Sequence, residues 1–353
     1  MSHLLSPLTL RGTTLRNRIA VSPMCQYTSV DGLPGDWHLV HLGARAVGGA
    51  GLVLTEAAAV SPEGRISPED AGLWNDAQAD AWARVVAFVR AQGAAAGVQL
   101  AHAGRKASTY RPWHSRRGSV PIEDGGWESV GPSPAAFGRY AAPRELDEAG
   151  IAKVVADFVA ATRRADDAGF DVVELHGAHG YLLHSFCSPL SNLRTDSWGG
   201  SFSGRIRLPL AVAEAVRAVW PDHKPLLYRV SAQDWVEGGW TLEETVELAL
   251  LLAERGVDLV DCSSGGLAPE QVIDVHPGYQ VPFARAVRDA GVLSGAVGLL
   301  TDARQCEQVL ADGDADLVLL ARELLRDPHW PLRAAHELDA EGPWPAQYER
   351  ARW

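Results

Sequence analysis

The sequence has few cysteines, and no two of them are close together. Among 353 residues there are four, Cys25, Cys187, Cys262 and Cys306, scattered along the chain. A zinc knuckle needs closely spaced cysteines such as C-x-x-C, and four widely scattered cysteines do not indicate a disulfide framework. The H-E-x-x-H motif of many zinc hydrolases is also absent. The composition therefore predicts neither a disulfide-stabilised fold nor a structural zinc site.

The sequence also lacks an excess of positive charge and any long apolar run. There are 32 lysines and arginines against 44 aspartates and glutamates, a formal net charge of −12. A surface of this sign argues against nucleic acid and anionic lipid as partners. No apolar run reaches the roughly 18 residues that a membrane-spanning helix needs, and the N-terminus has no apolar segment typical of a signal peptide. We therefore expect a cytoplasmic protein with neither a membrane nor a nucleic-acid partner.

Short apolar runs alternate with amphipathic helical patterns along most of the chain. Residues 4–15 predict a β-hairpin, and about eight strand–helix pairs follow it. This number predicts an α/β fold, a single (β/α)8 TIM barrel spanning residues 1–353. An open doubly wound sheet is the competitor, but its first strand usually leads into a glycine-rich turn, whereas this one leads into Ser-Pro-Met-Cys. The predicted barrel strands are Asn17–Val21, Gly51–Glu56, Gly97–Ala101, Asp171–Leu175, Leu226–Ser231, Leu259–Ser263, Val292–Val297 and Leu317–Leu320.

Residues 108–144 interrupt the alternation after the third barrel strand. They carry five prolines and five glycines and have no clear periodicity. Connections in compact domains are normally much shorter, and long ones are typical of site covers or disordered segments. We predict a long loop excursion from the barrel at this point.

The densest group of acid–base side chains follows the fourth barrel strand. His176, His179 and Tyr181 lie within six residues, and Gly177 and Gly180 indicate a tight turn. A His-x-x-His pair can bind a metal, but the neighbouring acidic residues share no obvious face with it, so no metal site is predicted. Active sites of TIM barrels lie at the carboxyl ends of the strands, which is where these side chains are expected.

The remaining strand ends supply two kinds of group. Glycines and one arginine follow the last three strands, and they suit a phosphate held by backbone N–H groups and a guanidinium. Amide, cationic and thiol groups at the other ends suit the edge of a flat heteroaromatic ring. Together these groups indicate flavin mononucleotide (FMN). The residues are Ser22, Pro23, Met24, Cys25, Tyr27, Glu56, Ala57, Gln99, His102, Arg229, Ser263, Ser264, Gly265, Gly266, Gly295, Gly298, Ala321 and Arg322.

Seven segments of the chain form a set of specific motifs: SPMCQY, QLAHAGRK, ELHGAHGYLLHSFCSPLSNLRTDSWGGS, DCSSG, AVG, ARELLRDP and QYER. The set resembles the Old Yellow Enzyme family of ene-reductases, in particular the thermophilic-like subfamily typified by NADPH dehydrogenase and xenobiotic reductase. The resemblance runs almost from end to end, apart from residues 108–144, which look more like the xenobiotic-reductase branch.

The resemblance implies a role for each matching residue. Tyr181 would donate a proton to the substrate, and His176 and His179 would bind and polarise its oxygen. Cys25 and Tyr27 would also contact substrate. Arg350 would reach the site of a neighbouring subunit, which implies a homodimer or homotetramer. The implied FMN contacts are Ser22, Pro23, Met24, Cys25, Ala57, Gln99, Arg229, Ala321 and Arg322, to which the strand-end pattern adds Ser263 and Gly298.

The resemblance also implies a ping-pong reaction with non-covalent FMN. NADPH would reduce the flavin, leave, and be replaced by an electron-poor alkene, whose C=C bond is then reduced. Three alternatives stay open. A dienoyl-CoA-reducing or amine-oxidising flavoenzyme would need clustered cysteines for an iron–sulfur cluster, and a metal-dependent barrel hydrolase would need further ligands. A non-catalytic flavin-binding sensor is poorly distinguished by sequence.

Overall fold

Eight parallel strands close into a barrel in the computed structural model, which describes residues 2–353. Each strand pairs with the next around the barrel, and the last pairs with the first. Helices connect the strands on the outside, so the predicted (β/α)8 barrel is confirmed. In chain order the strands are β1 (Leu8–Leu10), β2 (Thr13–Leu15), β3 (Ile19–Val21), β4 (Leu52–Ala59), β5 (Ala95–Ala101), β6 (Val130–Gly131), β7 (Arg144–Glu145), β8 (Val172–Gly177), β9 (Leu226–Ser231), β10 (Leu259–Ser263), β11 (Ser294–Ala296) and β12 (Leu317–Leu320), of which β3–β5 and β8–β12 form the barrel.

The helices begin at capping side chains in several cases. Asp147 accepts a hydrogen bond from the N–H of Gly150 at 2.7 Å, and Thr241 forms a capping box with Glu244. No helix within residues 2–353 is both long and apolar enough to span a membrane. The α-helices are α1 (Asp36–Val47), α2 (Asp76–Ala91), α3 (Glu148–Asp167), α4 (Leu182–Cys187), α5 (Phe202–Arg205), α6 (Arg207–Arg217), α7 (Leu242–Glu254), α8 (Val281–Asp289), α9 (Ala303–Ala311), α10 (Arg322–Arg326) and α11 (Trp330–Glu337).

Side chains alternate between the inside and the outside of the barrel along each strand. On β8, Val173 and Leu175 pack in the cluster between barrel and helices, whereas Val172 belongs to a separate cluster inside the barrel. Because the side-chain period of a strand is two, Glu174 and His176 continue the inward row that Val172 begins. The inward positions are therefore apolar near the start of the strand and polar near its carboxyl end. This change of polarity places a hydrophilic site on top of an apolar core.

The N-terminal hairpin closes the lower end of the barrel. Strands β1 and β2 pair antiparallel around a turn in which Arg11 has a φ of +49°, as predicted for residues 4–15. Leu10 and Leu15 are buried in the same interior cluster as Val172. Nε of Arg11 lies 2.6 Å from a carboxylate oxygen of Asp258, which ties the turn to the chain just before β10. With this end covered, the carboxyl ends of the strands are the open side of the barrel.

Residues 108–144 leave the barrel after β5 as predicted, but the segment contains regular structure. Strands β6 and β7 pair in parallel, and a short 3-10 helix spans Ile122–Asp124. The side chain of Arg194 is buried and donates to the carbonyls of Pro132 at 3.1 Å and Leu146 at 2.6 Å. The guanidinium of Arg65 lies over the rings of Trp74 and Trp127. These long-range contacts hold the excursion against the barrel, and no local periodicity in the sequence predicts them.

Candidate active site at the carboxyl ends of the barrel strands

The three predicted catalytic side chains pack together at the end of β8. The ring of His176 lies edge-on to that of His179, with centroids 5.3 Å apart, and edge-on to that of Tyr181 at 5.0 Å. Gly180 makes the turn between them possible. Its φ is +73°, and a Cβ atom there would lie 2.4 Å from the carbonyl oxygen of Gly266. The structure thus brings together the group that the sequence analysis selected.

Both histidines are neutral and have one N–H to donate. Nδ1 of His176 faces the N–H of Ala178 at 3.4 Å, which assigns the ring proton to Nε2. Nε2 of His179 lies 2.8 Å from Oγ of Ser263. Burial, followed by the charge of Arg229, lowers the pKa of both rings well below the ordinary 6.5. Neutral imidazoles are hydrogen-bond donors here, not cations.

Tyr181 is a neutral phenol beside Lys106, a half-buried lysine that was not predicted from the sequence. Burial raises the pKa of Tyr181 well above 10.0, so the phenol keeps its proton at physiological pH. Nζ of Lys106 lies 5.3 Å from the centre of the Tyr181 ring and donates to the carbonyls of His179 at 2.8 Å and Gly266 at 2.9 Å. Burial lowers the pKa of Lys106 to about 8. The lysine lies in the QLAHAGRK motif, but its spacing does not reveal that it turns toward β8.

Five buried polar side chains lie next to these rings. Four come from β5, β8, β9 and β10, and the fifth directly follows β3. Nε2 of Gln99 donates to Oε1 of Glu174 at 2.8 Å. Arg229 donates from Nη1 to Oγ of Ser22 at 3.0 Å, and its Nε lies 3.1 Å from Oδ2 of Asp261. All five side chains are buried. The predicted cofactor contacts Ser22, Gln99 and Arg229 are therefore connected to two carboxyl groups.

Neither of those carboxyl groups was predicted from the sequence as part of the site. Glu174 and Asp261 stand two positions before His176 and Ser263 on their strands, so they share the inward row of those residues. A charged residue at an inward position of a buried strand is the signal that could have identified them. Once His176 and Ser263 are assumed to point inward, the alternation of side chains along a strand places Glu174 and Asp261 on the inside as well.

The loop after β3 contains Pro23, Met24, Cys25 and Tyr27. The ring of Tyr27 packs edge-on against Trp113 of the excursion, with centroids 5.5 Å apart. Burial raises the pKa of the Cys25 thiol well above 9.0, and the carboxylates of Asp70 and Glu56 raise it further. Cys25 is therefore a neutral thiol. Ala57, the other predicted contact on this side, lies in β4 opposite Gln99 just beyond a register shift.

A cleft of about 170 Å³ lies at the ends of β10, β11 and β12. Gly298 has a φ of +116°, and a Cβ atom there would lie 2.7 Å from Nε2 of Gln280, so the position requires glycine. Arg326 is paired with Glu323 at 2.8 Å, whereas Arg322 makes no ion pair with any residue from 2 to 353. The cleft therefore offers a free guanidinium. Its predicted residues are Ser263, Gly298, Ala321 and Arg322, and it also contains Tyr279, Gln280, Val297, Leu299, Leu300, Thr301, Leu319, Glu323 and Arg326.

The donors at the two ends of this site fit the two ends of FMN. The amide of Gln99 and the guanidinium of Arg229 suit the polar edge of the ring, and the cleft at Arg322 suits a phosphate. Arg350 is not brought to the site by its own chain. It is exposed on a 3-10 helix, Ala346–Ala351, and that helix is placed by the packing of Tyr348 near the ring of His329.

Comparison with known proteins assigns the chain to a well-described group. The model of the NADH:flavin oxidoreductase / NADH oxidase family matches residues 3–341. NADPH dehydrogenase of Geobacillus thermodenitrificans is 47% identical over 351 residues, which cover 98% of both chains. NADPH dehydrogenase of Halalkalibacterium halodurans is 43% identical over 355 residues, 99% of both chains. Among solved structures, morphinone reductase aligns with a TM-score of 0.79 at 28% identity, covering 97% of this chain and 91% of its own.

Proposed function

Because the chain belongs to the NADH:flavin oxidoreductase / NADH oxidase family, we propose that it is an ene-reductase, an enzyme that reduces the C=C bond of α,β-unsaturated carbonyl or nitro compounds. Its full-length relatives are NADPH dehydrogenases, so the cofactor is FMN and the reductant is NADPH. The predicted family, enzyme class and cofactor are thereby confirmed. The substrate class and the roles of individual residues are our proposal.

One observation carries the proposal. Two neutral imidazoles and a protonated phenol pack together at one strand end, directly beside the predicted contacts of a flat ring. A dehydrogenase that only passed electrons from NADPH to a soluble acceptor would have no need for a positioned proton donor. An enzyme that reduces a polarised alkene needs one, and it also needs donors for the oxygen on which charge develops.

His176 and His179 would bind the carbonyl or nitro oxygen of the substrate. Each neutral ring can donate one N–H. The ring of His176 is buried and that of His179 is half-buried, so little water competes for the hydrogen bond of His176. In this structure Nε2 of His179 lies against Ser263, so the substrate oxygen would replace the hydroxyl as its partner. Donors that are already oriented stabilise negative charge on the oxygen without further reorganisation.

Tyr181 would supply the proton that completes the reduction. FMN, when bound, accepts a hydride from NADPH and returns it to the alkene, which leaves the α-carbon in need of a proton. The phenol of Tyr181 keeps its proton because burial raises its pKa. Its ring is held between His176 and Lys106, which fixes its direction. Ping-pong turnover follows, because NADPH and the alkene would use the same space in succession.

The cofactor would be held at both ends by residues of this chain. Gln99 and Arg229 would contact the ring, and their orientation is supported by Glu174, Ser22 and Asp261. The phosphate would lie in the cleft between Gly298 and Arg322. The other proposed contacts lie along the loop after β3 and at the strand ends, namely Pro23, Met24, Cys25, Ala57, Ser263 and Ala321, and Cys25 and Tyr27 would also contact substrate.

The purified protein is expected to be yellow. NADPH should bleach its flavin absorbance under anaerobic conditions, and 2-cyclohexenone should restore it. Protein that NADPH bleaches but that neither enones nor nitroalkenes reoxidise would contradict an ene-reductase. Colourless protein that does not take up added FMN would contradict the flavin site itself, so the two parts of the proposal fail in different ways.

Arg322→Ala is expected to weaken FMN binding roughly 10- to 100-fold, because a hydrogen bond to a charged group is lost. Fluorescence titration of the apoprotein with FMN measures the change. Arg326→Ala is the matched control, since Arg326 lies in the same cleft but is already paired with Glu323. Equal losses in the two variants would mean that the cleft attracts the phosphate by general charge only.

Arg350 also belongs to the proposed substrate site, but in a neighbouring subunit. It is exposed on the C-terminal 3-10 helix, so its guanidinium is available to a second copy of the chain. This arrangement requires a homodimer or homotetramer, and the assembly stays a prediction.

A further inference from the structure

Two carboxyl groups lie deep in the barrel, just before the substrate side chains on their strands. Glu174 on β8 and Asp261 on β10 both have zero solvent exposure. Below them, the inward positions of the barrel are filled by the apolar cluster that includes Val172 and Leu259. Water therefore does not solvate either group from below.

The hydrogen bonds around these carboxyl groups are incomplete. Oε1 of Glu174 accepts from the amide of Gln99 at 2.8 Å, but Oε2 has no partner within residues 2–353. Both oxygens of Asp261 also lack a well-aligned donor in that part of the chain. Nε of Arg229 lies 3.1 Å from Oδ2 of Asp261, which makes an ion pair but not a well-oriented hydrogen bond. Two ionised carboxylates would leave several buried lone pairs unsatisfied.

The charges around the pair do not balance if both groups are ionised. Arg229 from β9 is the cation that faces them, and His176 from β8 is neutral. The neighbouring strands add uncharged groups, Gln99 from β5 and Ser22 after β3. Glu56 of β4 is instead paired with His38 of α1, and Lys106 lies over the Tyr181 ring. One guanidinium thus faces two carboxyl groups, and an uncompensated buried carboxylate is costly.

We propose that Glu174 and Asp261 hold a single proton between them at neutral pH, with the proton on Glu174 and the negative charge on Asp261 opposite Arg229. The assignment follows from the partners. Asp261 has a cation 3.1 Å away, whereas the one partner of Glu174 is the neutral amide of Gln99. Arg229 is then balanced by one carboxylate, and the interior of the barrel carries no net charge.

The titration properties of the pair agree with this assignment. Burial raises the pKa of Glu174 from 4.5 to about 8, and the neighbouring Asp261 contributes to the increase. Burial also raises the pKa of Asp261, but Arg229 opposes that change. The consequence for catalysis rests on the proposed function: a neutral layer under the ring would keep Gln99 and Arg229 in place for the cofactor. The proton itself does not depend on that function.

Folding stability provides the first test. A group whose pKa is raised on folding stabilises the protein fully below its unfolded pKa, and this stabilisation is lost as the pH rises toward the folded pKa. Between pH 4.5 and about 8, the folded protein therefore holds a proton on Glu174 that the unfolded protein has lost. As the pH rises through this range, this difference should increase the equilibrium constant for unfolding about tenfold per pH unit. Glu174→Gln, which mimics the protonated acid, should remove this contribution, whereas the contribution of Asp70, whose pKa burial raises to about 7, should remain. Glu349→Gln, an exposed control, should keep both contributions.

Urea unfolding of the holoenzyme, with and without added FMN, measures these slopes and requires no enone. Identical pH slopes for wild type and Glu174→Gln would overturn the proposal. Glu174→Gln protein that still binds FMN and turns over enones, but shows no change in slope, would overturn the shared proton and leave the proposed function intact. The reverse result, a slope that changes in Glu174→Gln although the wild-type holoenzyme is inert toward enones, would uphold the proton and reject the function.

Infrared spectroscopy provides the second test, because a protonated carboxyl has a C=O stretching band that a carboxylate lacks. The wild-type protein at neutral pH should show a carboxyl band, of which one component disappears in Glu174→Gln while that of Asp70 remains. Asp261→Asn should also abolish the Glu174 component, although Glu174 is still present, because Glu174 would then ionise as the counter-ion of Arg229. A Glu174 component that persists in Asp261→Asn would show that the two groups do not share one proton.

Discussion

Tyr181→Phe is expected to slow the reduction of 2-cyclohexenone by about 10²- to 10⁴-fold, the usual contribution of a general acid. Oxidation of NADPH should stay close to the wild-type rate, because that half-reaction needs no proton from the phenol. Stopped-flow spectroscopy separates the two, since bleaching of the flavin reports the first and its return reports the second. The variant should therefore accumulate reduced enzyme during turnover with the enone.

Tyr228→Phe is the matched control for this experiment. Tyr228 is buried on the outer side of β9, and its hydroxyl has no hydrogen-bond partner within residues 2–353. Removing an unsatisfied buried hydroxyl is nearly neutral. Tyr228→Phe should therefore behave like wild type in both half-reactions. If Tyr181→Phe slowed both half-reactions equally, the phenol would be important for the shape of the site and would not be the proton donor.

His176→Ala is expected to lower the rate of enone reduction by about 10²- to 10³-fold, the usual loss when one oxyanion donor is removed. It should also weaken the binding of phenols, which mimic the oxygen of the substrate. The ring packs against both His179 and Tyr181, so its loss also frees those two side chains. Titration of the oxidised enzyme with a phenol, followed by the change in flavin absorbance, measures the affinity.

The pH dependence distinguishes a neutral donor from a cationic one. Burial and Arg229 keep the pKa of His176 well below 6.5, so its ring stays neutral as the pH falls through that value. Enone reduction should therefore show no break near pH 6.5 from His176. His276→Ala is the control variant, because His276 lies on the exposed segment before α8. Its rate of enone reduction and its phenol affinity should both equal those of the wild type. Unchanged phenol affinity in His176→Ala would contradict its role as an oxygen-binding donor.

The sequence predicted the parts of this fold whose signals are local. Alternating strands and helices identified the barrel, and the turn at Arg11-Gly12 identified the hairpin. The short sequence from His176 to Tyr181 brings its three side chains together because a single tight turn links them. The motifs also identified the family and its cofactor. In each case the informative residues lie within a few positions of one another, so the chain carries the signal by itself.

The sequence did not reveal contacts between residues far apart in the chain. Lys106 reaches the turn at His179 across more than 70 positions, and Arg194 links Pro132 inside the excursion to Leu146 just after it. The pairing of β6 with β7 was also missed, because each has two residues and too short a pattern to detect. The carboxyl groups of Glu174 and Asp261 were overlooked for another reason: alternation says that two residues share a face, but not which face is inside.

The sequence by itself determined which side chains are available to this protein: two imidazoles and a phenol after one strand, and glycines and an arginine, suited to a phosphate, after others. Only the tertiary structure decided how these groups are charged. Closure of the barrel removes water from Glu174, Asp261 and Arg229 together, and in that environment charge balance depends on distances between strands. The physical reason is that residue types and spacings are local properties, whereas burial and charge compensation arise only when distant parts of the chain meet.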